Sequence, residues 1–103
     1  MSNIALPEIN NSSIAIIGLG YVGLPLAVEF AKLRINQNNS SYRTVIGFDT
    51  NIDRIQELKN GFDKTNEISK EELLKAKGLM LSSEYKDIDN ADIFLITVPT
   101  PIT

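Results

Sequence analysis

The sequence contains no cysteine and no histidine, and their absence excludes several kinds of chemistry. Without cysteine the chain forms no disulfide and supplies no thiolate nucleophile. Zinc and other soft metals bind mainly through these two residue types, so no metal site is predicted. We expect no catalytic residue of the thiolate class within the 103 residues.

Long apolar runs and concentrated positive charge are also missing. No run is long enough to cross a membrane, and residues 1–12 have neither the basic start nor the apolar block of a secretory signal. The ten basic residues are scattered and the formal net charge is −3, whereas nucleic-acid binding needs a concentrated basic face. We expect a cytoplasmic protein without membrane or nucleic-acid partners, in which residues 1–12 form a polar arm.

What the chain does contain is a Gly-x-Gly-x-x-Gly pattern between the apolar run 13–17 and a helical pattern. A strand that turns sharply into a helix presents unpaired backbone N–H groups, which bind diphosphates. Gly18 permits the tight turn, Gly20 lets a pyrophosphate approach, and Gly23 allows close helix packing. The alternative is a glycine-rich turn without a ligand. The candidate cofactor-binding residues of this loop are Gly18, Leu19, Gly20, Tyr21, Val22 and Gly23.

The segment after this loop is predicted to be a helix from Leu24 to Leu33, with Gly23, Ala27 and Ala31 forming a stripe of small residues against a sheet. The polar run 36–41 is too hydrophilic for a helix or strand, and it is predicted to be a surface loop.

Asp49 ends the second predicted strand, residues 44–49. In a dinucleotide fold this position faces the adenosine ribose, whose hydroxyls donate to a carboxylate, and its charge disfavours a ribose phosphate. Asp49 therefore predicts NAD rather than NADP. The alternative is that Asp49 helps to cap the helix that starts near Asn51, and both roles can coexist.

The next helix is predicted to bury Ile52, Ile55 and Leu58 and to end at Asn60-Gly61. Arg54 is predicted on its exposed side, where it either reaches the adenine or ribose or remains solvated. A capping box, Ser69 to Glu72, starts a further helix that Gly78 closes.

Two more strands follow, residues 79–82 and 93–98, with a helical turn or two predicted over 84–90. Alternation of strands and helices predicts an α/β fold, a partial Rossmann-like doubly wound parallel sheet with strand order 3-2-1-4. The apolar fourth strand suits a central position covered on both faces. Pro99-Thr100-Pro101 then faces the glycine loop across the switch point, as a rigid loop that packs on the cofactor or as a stiffened loop exit.

Three segments resemble the amino-terminal NAD-binding domain of the UDP-glucose/GDP-mannose dehydrogenase family. They are residues 16–25, residues 47–51 with Arg54-Ile55, and residues 97–101. Gly-Tyr-Val-Gly-Leu-Pro is far more specific than three glycines alone. The flanking sequence is most similar to the branch that oxidises UDP-N-acetylhexosamines for bacterial polysaccharide biosynthesis. Members of the family oxidise the sugar C6 alcohol to a carboxylate in two NAD-dependent steps, through an enzyme-bound thiohemiacetal.

The resemblance implies a role for each matching residue. It puts the pyrophosphate on the amides of Leu19 to Val22, the adenosine ribose on Asp49, and Arg54 near the adenosine end. It also puts Val98, Pro99 and Thr100 near the nicotinamide half. The family's catalytic cysteine and sugar site lie after the matching region, so we expect this chain to be part of a longer, homodimeric or higher-order enzyme that binds a UDP-sugar elsewhere, with none of the catalytic residues in residues 1–103.

Two other classes share parts of the pattern. An NAD-sensing regulatory Rossmann module has the glycine loop and the acid of strand two, but performs no chemistry. An S-adenosylmethionine-dependent methyltransferase also has a glycine loop and an acid at these positions, although Gly23 and the Pro-Thr-Pro loop fit it poorly. A cysteine about 150 residues further on in the reading frame would favour the dehydrogenase.

Overall fold

The computed structural model describes residues 12–32, 34–36, 39–41 and 43–97. The predicted polar arm therefore lies outside the described residues except for residue 12, and so do residues 98–103, which include the predicted Pro99-Thr100-Pro101 loop.

Four parallel strands form the main sheet. A separate antiparallel pair follows the first of these strands in the sequence and precedes the second. In chain order the strands are β1 (Ile14–Ile17), β2 (Arg34–Asn36), β3 (Asn39–Ser41), β4 (Val45–Phe48), β5 (Leu79–Ser82) and β6 (Ile93–Ile96). The order β5-β4-β1-β6 confirms the predicted 3-2-1-4 arrangement. Ile17 pairs with Phe48 on one side and Ile96 on the other, so the carboxyl ends of three strands are level.

Three helices connect the strands: α1 (Gly23–Ala31), α2 (Ile52–Lys59) and α3 (Lys70–Lys75). The Asn51 side chain caps α2 by accepting from the backbone N–H of Arg54, and Ser69 caps α3 by accepting from that of Glu72, as the capping box predicted. The polar segment 84–90 contains a single 3-10 turn, Tyr85–Asp87. No helix in the described ranges has the length and apolar character needed to span a membrane.

The prediction of a surface loop over 36–41 is wrong. β2 and β3 pair as an antiparallel hairpin, with Arg34 opposite Ser41 and Asn36 opposite Asn39. An antiparallel ladder is held by backbone hydrogen bonds, and two intervening residues suffice to join its strands. The prediction weighed only the hydrophilic side chains, which do not prevent such pairing.

The helices cover one face of the sheet. The main core lies under α1 and α2, where Ile16, Leu24, Ala27, Val28 and Ile55 are buried. On the opposite face a smaller cluster forms around Phe48 and Ile88.

The opposite face is otherwise open. Phe94 of β6 is 42% exposed and Ile96 is 70% exposed, so the prediction that this strand is covered on both faces is wrong for the described residues. In them β6 is an edge strand, and neither its free edge nor its second face is packed. Ile52 was also predicted to be buried and is 62% exposed, because the first position of α2 stands at the carboxyl edge of the sheet rather than over it.

Candidate functional site

Two of the three loop glycines are required by packing. Gly18 has φ +100°, and a Cβ there would lie 2.5 Å from the carbonyl oxygen of Thr97. A Cβ on Gly23 would overlap the Gly18 carbonyl oxygen, since the start of α1 crosses directly over the end of β1. The predicted turn and close-packing roles of Gly18 and Gly23 thus have a direct steric basis.

Gly20 is different, because its surroundings are open. No atom lies within 4 Å of the position that a Cβ would occupy. The next two residues, Tyr21 and Val22, are 68% and 56% exposed. Among the described residues, the backbone N–H groups of Gly20, Tyr21 and Val22 have no acceptor. The start of α1 therefore presents N–H donors without a described acceptor, beside open space through which a ligand can reach the Gly20 backbone. An anionic group requires this environment.

Leu19 is turned inward and fixed at both ends of its backbone. Its N–H donates to Asp49 Oδ2 at 2.9 Å, and its carbonyl oxygen accepts from Arg54 Nε at 2.8 Å. Its fully buried side chain packs over Gly47, where a Cβ would come within 3.3 Å of both Leu19 methyl groups. Of the four amides from Leu19 to Val22, the first is therefore engaged within the protein.

Asp49 lies immediately after β4, beside the glycine loop. Its Oδ2 accepts from the Leu19 N–H, and its Oδ1 accepts from the Asn51 N–H at 2.9 Å. Each carboxylate oxygen keeps a second lone pair for another donor. Asn51 is the N-cap of α2, and Asp49 supports the start of this helix by accepting from the Asn51 N–H, which agrees with the alternative that Asp49 helps to cap it.

Arg54 was predicted on the exposed side of its helix and is in fact 5% exposed. Besides Leu19, its guanidinium donates through Nη1 to Glu57 at 3.0 Å and to Asp63 at 2.8 Å. The prediction failed because it counted only apolar residues as buried, whereas a guanidinium can be buried where carboxylates pair with it. Nη2 is buried without an acceptor among the described residues.

Asp63 was missed by the sequence reasoning, because it stands in a connector without periodicity. Its side chain is fully buried and accepts five hydrogen bonds. Burial by itself raises the pKa of this carboxyl, but hydrogen bonds from Thr65, Arg54 and Ile68 outweigh it and lower the pKa to about 2. Asp63 is therefore a charged anchor for Arg54.

Thr97 is the second residue that the sequence reasoning did not assign. Its hydroxyl donates to the Gly18 carbonyl at 2.7 Å, and so joins the end of β6 to the glycine loop. The signal available was its position, since a residue just after a strand paired with β1 must lie beside Gly18. Val98, Pro99 and Thr100 lie outside the described residues. Within the described part of the chain, no group of side chains is arranged to hold a metal ion.

Residues 12–103 match the model of the UDP-glucose/GDP-mannose dehydrogenase family, NAD binding domain. The chain belongs to this family. It is 52% identical over 94 residues to the UDP-N-acetyl-D-glucosamine 6-dehydrogenase of Salmonella typhi, covering 91% of this chain and 20% of that protein. It is 47% identical over 89 residues to the enzyme of the same name from Pseudomonas aeruginosa, covering 86% of this chain and 19% of that one.

A solved structure of a related enzyme has the same fold as this chain. The UDP-N-acetyl-mannosamine dehydrogenase from Staphylococcus aureus superposes with a TM-score of 0.61 at 33% identity, over 87% of this chain and 20% of that structure. This NAD-binding domain spans about a fifth of the length of the relatives it matches.

The different surroundings of the glycines predict different responses to the same substitution. Gly23→Ala should reduce the free energy of unfolding by about 3 kcal/mol or prevent folding, because backbone atoms of Gly18 cannot move away cheaply. Gly20→Ala should change it by less than about 1 kcal/mol, since its Cβ enters open space. Chemical denaturation of both variants tests this, and equal losses would contradict it.

The lowered pKa of Asp63 predicts acid sensitivity. Its folded-state pKa of about 2 lies below the ordinary value of 3.8, so the unfolded chain binds the proton more readily. The resulting stabilisation, about 2 kcal/mol, is present above about pH 5 and is lost as the pH falls through 4 towards 2. Urea unfolding at pH 6 and pH 3 measures the free energy of unfolding at each pH. The decrease from pH 6 to pH 3 should be smaller for Asp63→Asn than for the wild type. Parallel losses in the two proteins would refute the prediction.

Proposed function

We propose that this domain holds NAD across the carboxyl edge of its sheet and serves a UDP-sugar 6-dehydrogenase. The observation that carries the proposal is the open backbone at Gly20, with unpaired N–H groups on one side and the Asp49 carboxylate on the other. A dinucleotide needs both features, donors for its diphosphate and an acceptor for its adenosine ribose. The residues present therefore fit the cofactor named by the family.

The diphosphate would be bound by the N–H groups of Gly20, Tyr21 and Val22. Leu19 supports the loop instead of contributing its own N–H, because Asp49 already accepts from it. The Asp49 carboxylate is oriented in advance by two backbone donors, so little ordering is needed when it accepts from ribose hydroxyls. Its negative charge repels a phosphate at that position, which favours NAD over NADP.

Arg54 and the loop after β6 complete the proposed cofactor site. Three contacts of the Arg54 side chain are internal and its Nη2 is buried, so its placement near the adenosine end rests on the family resemblance. We assign Val98, Pro99 and Thr100 to the nicotinamide half on the basis of the family resemblance.

The proposed reaction is the oxidation of the C6 alcohol of a UDP-N-acetylhexosamine, or of UDP-glucose, to the carboxylate. The relatives named above support it, since they are UDP-N-acetyl-D-glucosamine 6-dehydrogenases and a UDP-N-acetyl-mannosamine dehydrogenase. Bound NAD supplies a hydride acceptor for each of two oxidations. This domain orients that acceptor, and the thiol and sugar contacts belong to parts of the protein beyond it. We further propose a cytoplasmic homodimer or higher oligomer, supported by the resemblance alone.

Nothing in the comparisons supports the alternative of a regulatory NAD sensor.

Nucleotide titration of the full-length protein that contains this domain tests the cofactor assignment. Wild-type protein should bind NAD more tightly than NADP, and Asp49→Asn should weaken NAD binding by about 1–3 kcal/mol through loss of a charge-assisted hydrogen bond. Gly20→Val should bind neither nucleotide while remaining folded, because its side chain fills the diphosphate approach. Asp53→Asn, an exposed acid on the next helix, is the matched control and should leave affinity unchanged. Equal wild-type affinity for the two nucleotides would reject the role of Asp49.

Absorbance of reduced nicotinamide tests the proposed reaction. Full-length protein with UDP-N-acetyl-D-glucosamine or UDP-N-acetyl-D-mannosamine should form two reduced cofactors per carboxylate product. The 103 residues alone should form none, since the first hydride transfer needs sugar contacts that we assign to other parts of the protein, and the second oxidation needs a thiol, which these residues lack. Turnover by the 103 residues, with full-length enzyme excluded by mass spectrometry, would show that the chemistry was assigned to the wrong part. No turnover of any UDP-hexose by full-length protein would reject the reaction itself.

A further inference from the structure

We propose that Asp63 is a positioning residue for the nucleotide loop, acting through Arg54 on the Leu19 carbonyl. The contacts form one connected group, here called the Arg54 clamp, which consists of Leu19, Arg54, Glu57 and Asp63. The proposal rests on the proposed function, because its consequence is the affinity for a diphosphate at Gly20 to Val22.

The Asp63 end of the Arg54 clamp is attached to the main core. Ile68 is buried there, and its backbone N–H donates to Asp63 Oδ2 at 3.0 Å. The Glu67 N–H donates to the same oxygen at 2.9 Å, while Oδ1 accepts from the Thr65 hydroxyl at 2.6 Å. The Asp63 carboxylate is therefore fixed by its own segment, 63–68, before it contacts Arg54.

Arg54 transmits this position to the glycine loop. Nη1 is held by Asp63 and Glu57, so the planar guanidinium has little rotational freedom left, and its Nε–H must point at the Leu19 carbonyl. The Leu19 peptide directly precedes Gly20, whose N–H is one of the free donors. An error in the position of Leu19 thus displaces the donors that the diphosphate would meet.

The burial of the clamp makes it sensitive to the loss of one charge. Arg54 is 5% exposed and the Asp63 side chain is fully buried. Removing one carboxylate from a buried pair leaves the guanidinium undercompensated, so it moves to find water or another acceptor. The Nε–H to Leu19 bond is the contact that this movement breaks. Asp63 is hydrogen-bonded neither to the N–H groups of Gly20 to Val22 nor to Asp49, and it reaches the glycine loop only through Arg54, which distinguishes positioning from direct binding.

The test uses the full-length protein with three variants. Asp63→Asn removes the charge, Thr65→Val removes one hydrogen bond to Asp63 with little change of shape, and Leu58→Ala is the control. Leu58 is buried on the same helix as Arg54 but lies outside the clamp. Asp63→Asn should raise the Kd for NAD and for ADP-ribose about tenfold, the effect of one lost hydrogen bond at the loop. Thr65→Val should raise both about twofold, and it keeps the test valid if Asp63→Asn does not fold.

A second measurement isolates positioning from general loss of stability. The ¹⁵N resonance of Gly20 in nucleotide-free protein reports on the hydrogen bond to the Leu19 carbonyl, because both atoms belong to one peptide group. It should shift in Asp63→Asn and in Thr65→Val, but not in Leu58→Ala. Folded Asp63→Asn with wild-type affinity and an unshifted Gly20 resonance would overturn the proposal, as would equal affinity losses in Leu58→Ala. Wild-type protein that binds no nucleotide would overturn the proposed function instead, and the Gly20 resonance would still report whether Asp63 positions the loop.

Discussion

The two-sided attachment of Leu19 is the contact on which the candidate site depends. A glycine-rich turn is intrinsically mobile, and a mobile loop would have to be ordered each time a ligand bound. Here the Leu19 N–H is held by Asp49 and its carbonyl by Arg54, while its side chain is buried over Gly47. The loop is thereby fixed at one residue, and the N–H groups of the next three have no acceptor in the part of the chain that the structure describes. Asp49 accordingly has a structural role in addition to the proposed one at the ribose.

Parallel pairing brings these groups together from distant parts of the chain. Ile17, Phe48 and Ile96 are in register, so Gly18, Asp49 and Thr97 all follow strands that end at one edge. The hydroxyl of Thr97 and the carboxylate of Asp49 then contact the glycine loop from opposite sides. Open α/β sheets bind ligands where the strand order reverses, and β1 lies at that position here.

The sequence was sufficient for the four-strand order and for most helix ends, because these follow from apolar runs, glycines and caps. It was insufficient where backbone pairing formed strands from polar residues, and where ion pairs allowed a charged side chain to be buried. The hairpin of β2 and β3 pairs backbone to backbone although five of its six residues are hydrophilic. Arg54 was expected to be exposed because only apolar residues were placed on the buried side of its helix, yet two carboxylates compensate for its burial. Asp63 was missed because its ion pair with Arg54 forms only when the segment after α2 folds back onto that helix.

The three glycines show how one motif combines packing with access. Gly18 and Gly23 are required because neighbouring backbone occupies the space of a Cβ, so they would be needed even in a protein without a ligand. Gly20 has no such neighbour, and nothing in the described protein explains why it lacks a side chain. The fold leaves room for a side chain there, so only a group that approaches the backbone from outside would require glycine at this position. The open position at Gly20, more than the glycine pattern as a whole, is therefore the structural sign of a ligand.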